Sequence, residues 1–458
     1  MRVDGVIHDV AGIGFGPSNL SLATALDELG PGSGGHPIDA VFFEKQPALG
    51  WHGGMLLPNS KMQVSFLKDL VTFRNPGSPY SFVSYLHSVG RLAAFVNRKD
   101  FFPSRREFHD YLEWVESRFT DQVTYGAEVV SVRPVPGDRA AAALDEVDLL
   151  RLEIREAGSP DATRIVHARN VVISTGLAAR MPDGIERGDA VWHSSEFMTA
   201  FRELDTAGLR AVAVVGAGQS AAEIVRFAYD HLPDADVYAI LSPLGYSIAD
   251  STPLANQVFD PGAVDDYYFS AEKAKEAIWR YHRNTNYSVV DDELIQDLFE
   301  RTYQDELGHR TRLRFMNLSR AKSAEPAGGR TRVVVESLRT GALDHLDVDL
   351  LVCATGYAPM DPARVLGDLA GSCLRDDQGR LRVDRDYRVV TTPEIRCGIY
   401  LQGGTEHTHG LSSSLLSNIA TRSGDIANSI ARSRTRPPAG LGGEAVPGRG
   451  GLSGVKAV

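Results

Sequence analysis

Two glycine-rich turns carry the plainest chemistry in the chain: Gly12-Ile13-Gly14-Phe15-Gly16-Pro17-Ser18-Asn19 and Gly216-Ala217-Gly218-Gln219-Ser220-Ala221. Each follows an apolar run and opens an apolar helical pattern. A tight strand-to-helix turn needs positive φ, and a missing side chain lets backbone N–H groups and a helix N-terminus approach a pyrophosphate. One such turn is a weak signal. Two of them in strand-turn-helix context predict a chain that holds two dinucleotides. After the first turn, the strand Ala40–Phe43 ends at Glu44, a carboxylate suited to accept hydrogen bonds from an adenosine ribose. A loop insertion from Gly30 to Pro37 explains the longer than usual spacing. After the second turn, the strand Val237–Leu241 runs into Ser242-Pro243-Leu244-Gly245-Tyr246-Ser247. That loop offers neither an acid for a ribose diol nor an Arg or Lys for a 2'-phosphate, so Ser242 and Ser247 are its candidate phosphate partners.

The elements around the turns describe one dinucleotide fold interrupted by another. Apolar strands near 170–174 and 348–354 both end in a Thr-Gly turn, as crossings between such units do. The predicted fold class is α/β, with two Rossmann-like dinucleotide-binding domains and a smaller helical substrate region. Residues 1–185 and 356–433 are expected to form the first, discontinuous domain and 186–355 the second, with the helical region near 250–315. Residues 434–458, rich in Gly and Pro, read as a disordered tail.

Composition narrows the function classes. A length of 458 residues suits two or three domains with ample core. A formal net charge of -11 disfavours nucleic-acid binding. No apolar run approaches a membrane span, and the first strand leaves no room for a signal peptide, so cytoplasm is the expected compartment. Cys353, Cys373 and Cys397 are far apart and read as buried thiols rather than a zinc or redox site. Glu406-His407-Thr408-His409 has metal-like spacing but no separate third ligand, so no metal is expected.

The chain resembles the flavin-dependent N-hydroxylating monooxygenases of siderophore biosynthesis, most closely the L-ornithine N(5)-monooxygenase type. The resemblance covers roughly residues 8 to 430. It is carried by Gly14-Phe-Gly-Pro-Ser-Asn19, Trp51-His52-Gly-Gly-Met, Met62-Gln63-Val-Ser-Phe-Leu-Lys68-Asp-Leu, Phe102-Pro-Ser-Arg105, Thr285-Asn286-Tyr-Ser, Ala354-Thr-Gly-Tyr357 and His409-Gly-Leu-Ser412. It implies that NAD(P)H reduces FAD, that O2 adds to give a C(4a)-hydroperoxyflavin, and that one oxygen passes to a primary amine. No protein nucleophile is needed. The resemblance sets Lys68 against the substrate carboxylate, with Asn256 and Asn286 as polar groups near substrate and nicotinamide and Ser412 in a closing loop. Either Asn equally suits a helix or turn cap, and the residues alone equally allow Lys68 as a solvated side chain beside Asp69. Gln63 resembles a residue beside the flavin. Trp51 and His52 lie in a flavin-side segment, where core packing is the other reading of Trp51. Ser413 stands where the family commonly carries Asp.

The resemblance favours ornithine over lysine or a diamine. A flavin monooxygenase acting on sulfur or a ketone, and an NAD(P)H oxidase that only leaks peroxide, are the alternatives. The expected coenzyme is NADPH with weak discrimination against NADH, and relatives commonly form homo-oligomers, often tetramers.

Overall fold

A computed structural model describes residues 6–30, 36–135 and 146–434. The tail beyond 434 and most of the Gly30–Pro37 insertion lie outside the described residues. The first sheet contains β1 (Ile7–Ile13), β2 (Ala40–Glu44), β3 (Val123–Tyr125), β4 (Ala127–Val135), β5 (Leu149–Glu156) and β6 (Ser159–Ile173) in the order β3-β2-β1-β6-β5-β4. The long strand β6 serves two purposes. Its second half pairs in parallel with β1, aligning Val10 with Asn170, while its first half pairs antiparallel with β5. A short β7 (Leu177–Ala179) then leaves this sheet.

The second sheet takes β8 (Val191–His193), β9 (Ala211–Val215), β10 (Asp236–Ile240) and β11 (Leu313–Met316). A three-stranded antiparallel sheet follows: β12 (Ser319–Ala327), β13 (Arg330–Ser337) and β14 (Leu343–Val348). The chain returns through β15 (Leu350–Cys353), which completes the parallel order β11-β10-β9-β15-β8. Every residue of β9 and β15 is buried, as continuous apolar runs must be when both faces of a parallel sheet are covered. Helices Gln219–His231 and Asp292–Leu307 cover one face, and the antiparallel sheet covers the other through Ala321, Val333, Val335 and Val348. β16 (Tyr357–Pro359) pairs antiparallel with β7, so both crossings between the units run side by side. β17 (Gly398–Leu401) rejoins the first sheet along β6.

The first helix begins at Pro17, because Gly16 is its N-cap and proline suits the first helical position. Two expectations need adjustment. The helical region ends at Leu307, and Leu313–Met316 belongs to the second sheet as β11. Residues 319–348 form a sheet that the motif-based reading does not contain. Their alternating pattern is short and lies between two stronger signals.

Candidate active site

The two glycine turns are built alike. Gly14 has φ +85° and Gly216 has φ +145°, and a Cβ on either would stand 2.4 Å from the carbonyl oxygen of Ser174 or Ala354 respectively. Each turn is thus pressed against the end of the neighbouring strand. Two residues on, Gly16 and Gly218 cap their helices. A Cβ at Gly16 would meet nothing within 4 Å, and one at Gly218 only Ser288 Cα at 3.8 Å. The open pair, rather than the pressed pair, is therefore the cradle a pyrophosphate could approach. Gly12 is excluded from larger residues by Phe42, whose ring would lie 2.2 Å from an added Cβ. Asn19 ties the first turn together: Nδ2 donates to Gly14 O at 2.7 Å, and Oδ1 accepts from Ser174 Oγ and Gln402 Nε2. Ala221 occupies the equivalent place in the second turn, where an added Gly216 Cβ would lie 3.2 Å from its methyl. Ser220 is half-buried beside it in the first turn of the helix.

Glu44, at the end of β2, already accepts from Phe15 N at 2.8 Å and Gln46 N at 2.9 Å, and so couples strand end to turn. A carboxylate has about four lone-pair sites, which leaves capacity for ribose hydroxyls. At the second unit, Ser242 and Ser247 are both exposed. Leu318 N bonds Pro243 O, and Leu338 N bonds Leu318 O. The loop that lacks a cation in sequence is thereby set beside Arg320 and Arg339, neither of which has an ion-pair partner among the described residues.

The expected substrate residues come from four segments. Lys68 Nζ lies 5.7 Å from the Phe259 ring centroid, and burial lowers its pKa while Asp260 opposes the shift. Asp69 does not pair with it. That carboxylate is buried and accepts from Val71 N, Thr72 N and Phe82 N. Phe259 belongs to the 3-10 turn Ala255–Phe259, which carries Asn256 and packs on the turn Leu411–Ser414, which carries Ser412. Asn256 donates to Ser251 O at 2.9 Å, a turn-capping bond, and Ser412 Oγ accepts from Asn418 at 2.8 Å in the interior. Asn286 ends the 3-10 turn Arg283–Thr285, two residues before the Ser288 that faces Gly218. It therefore borders the second glycine turn rather than the first.

A polar chain links the segment before Lys68 to the helix of the second glycine turn. Gln63 Nε2 donates to Asp291 Oδ1 at 3.1 Å, Gln219 Nε2 donates to Asp291 Oδ2 and Glu223 Oε1, and Glu223 takes a bidentate pair from Arg105 at 2.6 and 2.9 Å. Arg105 comes from the Phe102-Pro-Ser-Arg motif, whose Ser104 caps the helix Arg105–Glu116 and whose backbone pairs with residues 60–62. His52 is open to solvent yet ringed by protein atoms, as a residue on the floor of a cleft is. That crowding and the Arg105 guanidinium push its pKa down to about 4. Trp51 packs on Phe108 with centroids 5.5 Å apart, in agreement with the packing reading.

Residues 6–359 match the model of the family described as L-lysine 6-monooxygenase/L-ornithine 5-monooxygenase. The chain belongs to this family. An L-ornithine N(5)-monooxygenase of Burkholderia cepacia is 39% identical over 410 residues, covering 88% of this chain and 90% of the relative. One from Pseudomonas aeruginosa is 35% identical, covering 93% and 94%. Among solved structures, the ornithine N-hydroxylase of Kutzneria sp. 744, determined with reduced FAD, NADP+ and L-ornithine, superposes with a TM-score of 0.89 at 57% identity, covering 94% of this chain and all of that one.

Sequence reasoning missed several residues that shape this monooxygenase site. Gln402 lies just past β17 and reaches back to Ser18 O and Asn19 Oδ1, both at 3.1 Å. Glu223, Gln219 and Asp291 form the link described above. None belongs to a fingerprint, and a lone polar residue in an apolar pattern is a poor signal. Glu406 accepts from Ser414 Oγ, and the His409 ring stacks on Tyr387 at 4.0 Å. Cys353, Cys373 and Cys397 are all buried and free, as expected. No described helix is long and apolar enough to cross a membrane.

Proposed function

We propose that this monooxygenase hydroxylates the side-chain amine of L-ornithine with O2, using FAD reduced by NADPH, in the assembly of a siderophore or related natural product. Residues 1–185 and 356–433 would hold FAD and 186–355 NADPH. What supports the reading is the meeting of Lys68, the Asn256 turn and the Ser412 turn in a chain that also carries two open glycine cradles. Bound FAD supplies the electron transfer and oxygen activation.

The chain supplies binding, orientation and exclusion of water. Gly16 and the helix N-terminus behind it suit the pyrophosphate of FAD, with Glu44 toward its ribose; Gly218 and Ser220 suit that of NADPH. A Lys68 ammonium that is already partly desolvated can meet a substrate carboxylate at a smaller further cost. The reacting amine has an ordinary pKa of about 10.4, so it must be deprotonated to act as a nucleophile, and the same desolvation favours its neutral form.

The test is purified protein with FAD, NADPH and O2, given ornithine, lysine and diamines in parallel while hydroxylamine and hydrogen peroxide are both followed. Hydroxylamine from ornithine at close to one per NADPH is expected. Peroxide alone with every amine would sink the proposal. The ratio of flavin-reduction efficiencies for NADPH and NADH tests the phosphate loop. A modest ratio, raised by Ser242→Arg, fits serine contacts, whereas a native preference above about a hundredfold, roughly 2.7 kcal/mol, points to Arg320 or Arg339.

A further inference from the structure

The helix Ile419–Arg434 packs along Pro17–Leu29 and buries a whole arginine near its start. Arg422 is 2% exposed, and no carboxylate among the described residues comes within ion-pair distance of it. Its donors end on neutral acceptors: Nη1 on Ser413 O at 2.5 Å, Nε on Gln402 Oε1 at 3.4 Å and Nη2 on Ser18 Oγ at 3.5 Å. The last two are at the far end of hydrogen-bond range. A guanidinium does not shed its proton, and a buried charge is costly unless it is paired. Glu406 is the acid that acts on it from a distance, and that carboxylate is held by the Ser414 hydroxyl.

The position of Arg422 indicates where its counter-charge belongs. Ser18 is the second residue of the helix that Gly16 caps, and Gln402 and Ser423 both reach the same Ser18 carbonyl. The guanidinium thus reaches the first turn of that helix through the Ser18 side chain. An anion in the cradle is met by the helix N-terminus and by this charge close to it. We propose that Arg422 is a positioning residue for FAD, a cation left unneutralised by the protein so that the cofactor's pyrophosphate completes it. This rests on the reading that the first glycine turn binds FAD.

The experiment titrates FAD into apoprotein of the full chain, followed by flavin fluorescence, alongside melting of the apo and FAD-saturated forms. Arg422→Met is expected to weaken FAD on the order of tenfold while the apoprotein melts no lower than wild type, because no protein ion pair is lost. Arg422→Lys should recover most of the affinity. Arg422→Gln keeps a donor for the Ser413 carbonyl without the charge; it should weaken FAD as much as the methionine variant, and it tests the idea even if that variant fails to fold. Unchanged FAD affinity in Arg422→Met or in Arg422→Gln overturns the charge assignment. Wild-type protein that takes up no FAD overturns the functional reading itself.

Discussion

Gly14 and Gly16 lie two residues apart, and their surroundings separate two kinds of failure. A side chain at Gly14 strikes the Ser174 carbonyl and forces an L-residue into positive φ, so Gly14→Val should lower the stability of the apoprotein before any cofactor is considered. Loss of FAD would follow from that damage rather than from blocking the pyrophosphate, which is what the fingerprint alone suggests. Gly16→Val should leave the apoprotein melting temperature close to wild type and abolish FAD retention, since its Cβ points into open space. Equal melting temperatures with equal flavin content in the two variants would refute this division. Lys68→Ala should raise KM for ornithine at least ~10-fold with flavin reduction by NADPH nearly intact, as expected when a substrate-carboxylate contact is lost; a collapse of FAD loading at unchanged substrate affinity would make Lys68 structural. His409 bears on pH. Burial chiefly, with the nearby Arg385, Arg422 and His407 charges, pushes its pKa down to about 3 from 6.5. The unfolded chain therefore takes up the proton first as pH falls, so stability is full above 6.5 and is lost progressively toward 3. His409→Gln should flatten that part of the urea-stability profile, and a slope unchanged from wild type would count against the assignment.

Among the elements, the link Gln63–Asp291–Gln219–Glu223–Arg105 ties the segment after β2 to the helix of the second glycine turn and to the start of Asp292–Leu307. Glu223 is 3% exposed, so removing its charge strands the guanidinium of Arg105. Glu223→Ala should cost about 3–5 kcal/mol in urea unfolding, with much of it recovered in the double variant with Arg105→Met. A single-variant loss below about 1 kcal/mol would show that the pair is solvated in solution. This scale also marks where sequence reading stops. The glycine turns, Glu44 and the strands β1, β2, β9 and β10 are legible because local pattern and turn chemistry coincide there. Gln402 and Arg422 act across nearly four hundred residues, and a contact of that range leaves no local period or spacing. The sheet β12–β14 went unread because its apolar positions face a neighbour that only the return of β15 brings into place.

For the whole molecule, the pairing of β7 with β16 brings the two ends of the second unit together. Ala179 stands opposite Tyr357, and Arg180 N bonds Gly356 O at 3.0 Å, so the segment between them leaves and re-enters the chain at neighbouring points. Adjacent entry and exit points are what permit one domain to be inserted into another. Deleting residues 180–356 and joining Ala179 to Tyr357 through Asn-Gly would turn the two crossings into an ordinary two-residue β-hairpin. With Arg105→Met in the shortened chain and Glu223→Gln in the excised segment, so that neither strands a buried charge, the first should fold and bind FAD and the second should bind NADPH; calorimetry on each piece decides the matter, and aggregation of both would mean that neither half forms without the other. Residues 180–356 therefore leave and re-enter through one two-stranded doorway, while a buried ion pair and two side chains of the outer unit, Met55 and Leu57, bolt them in place from the other side.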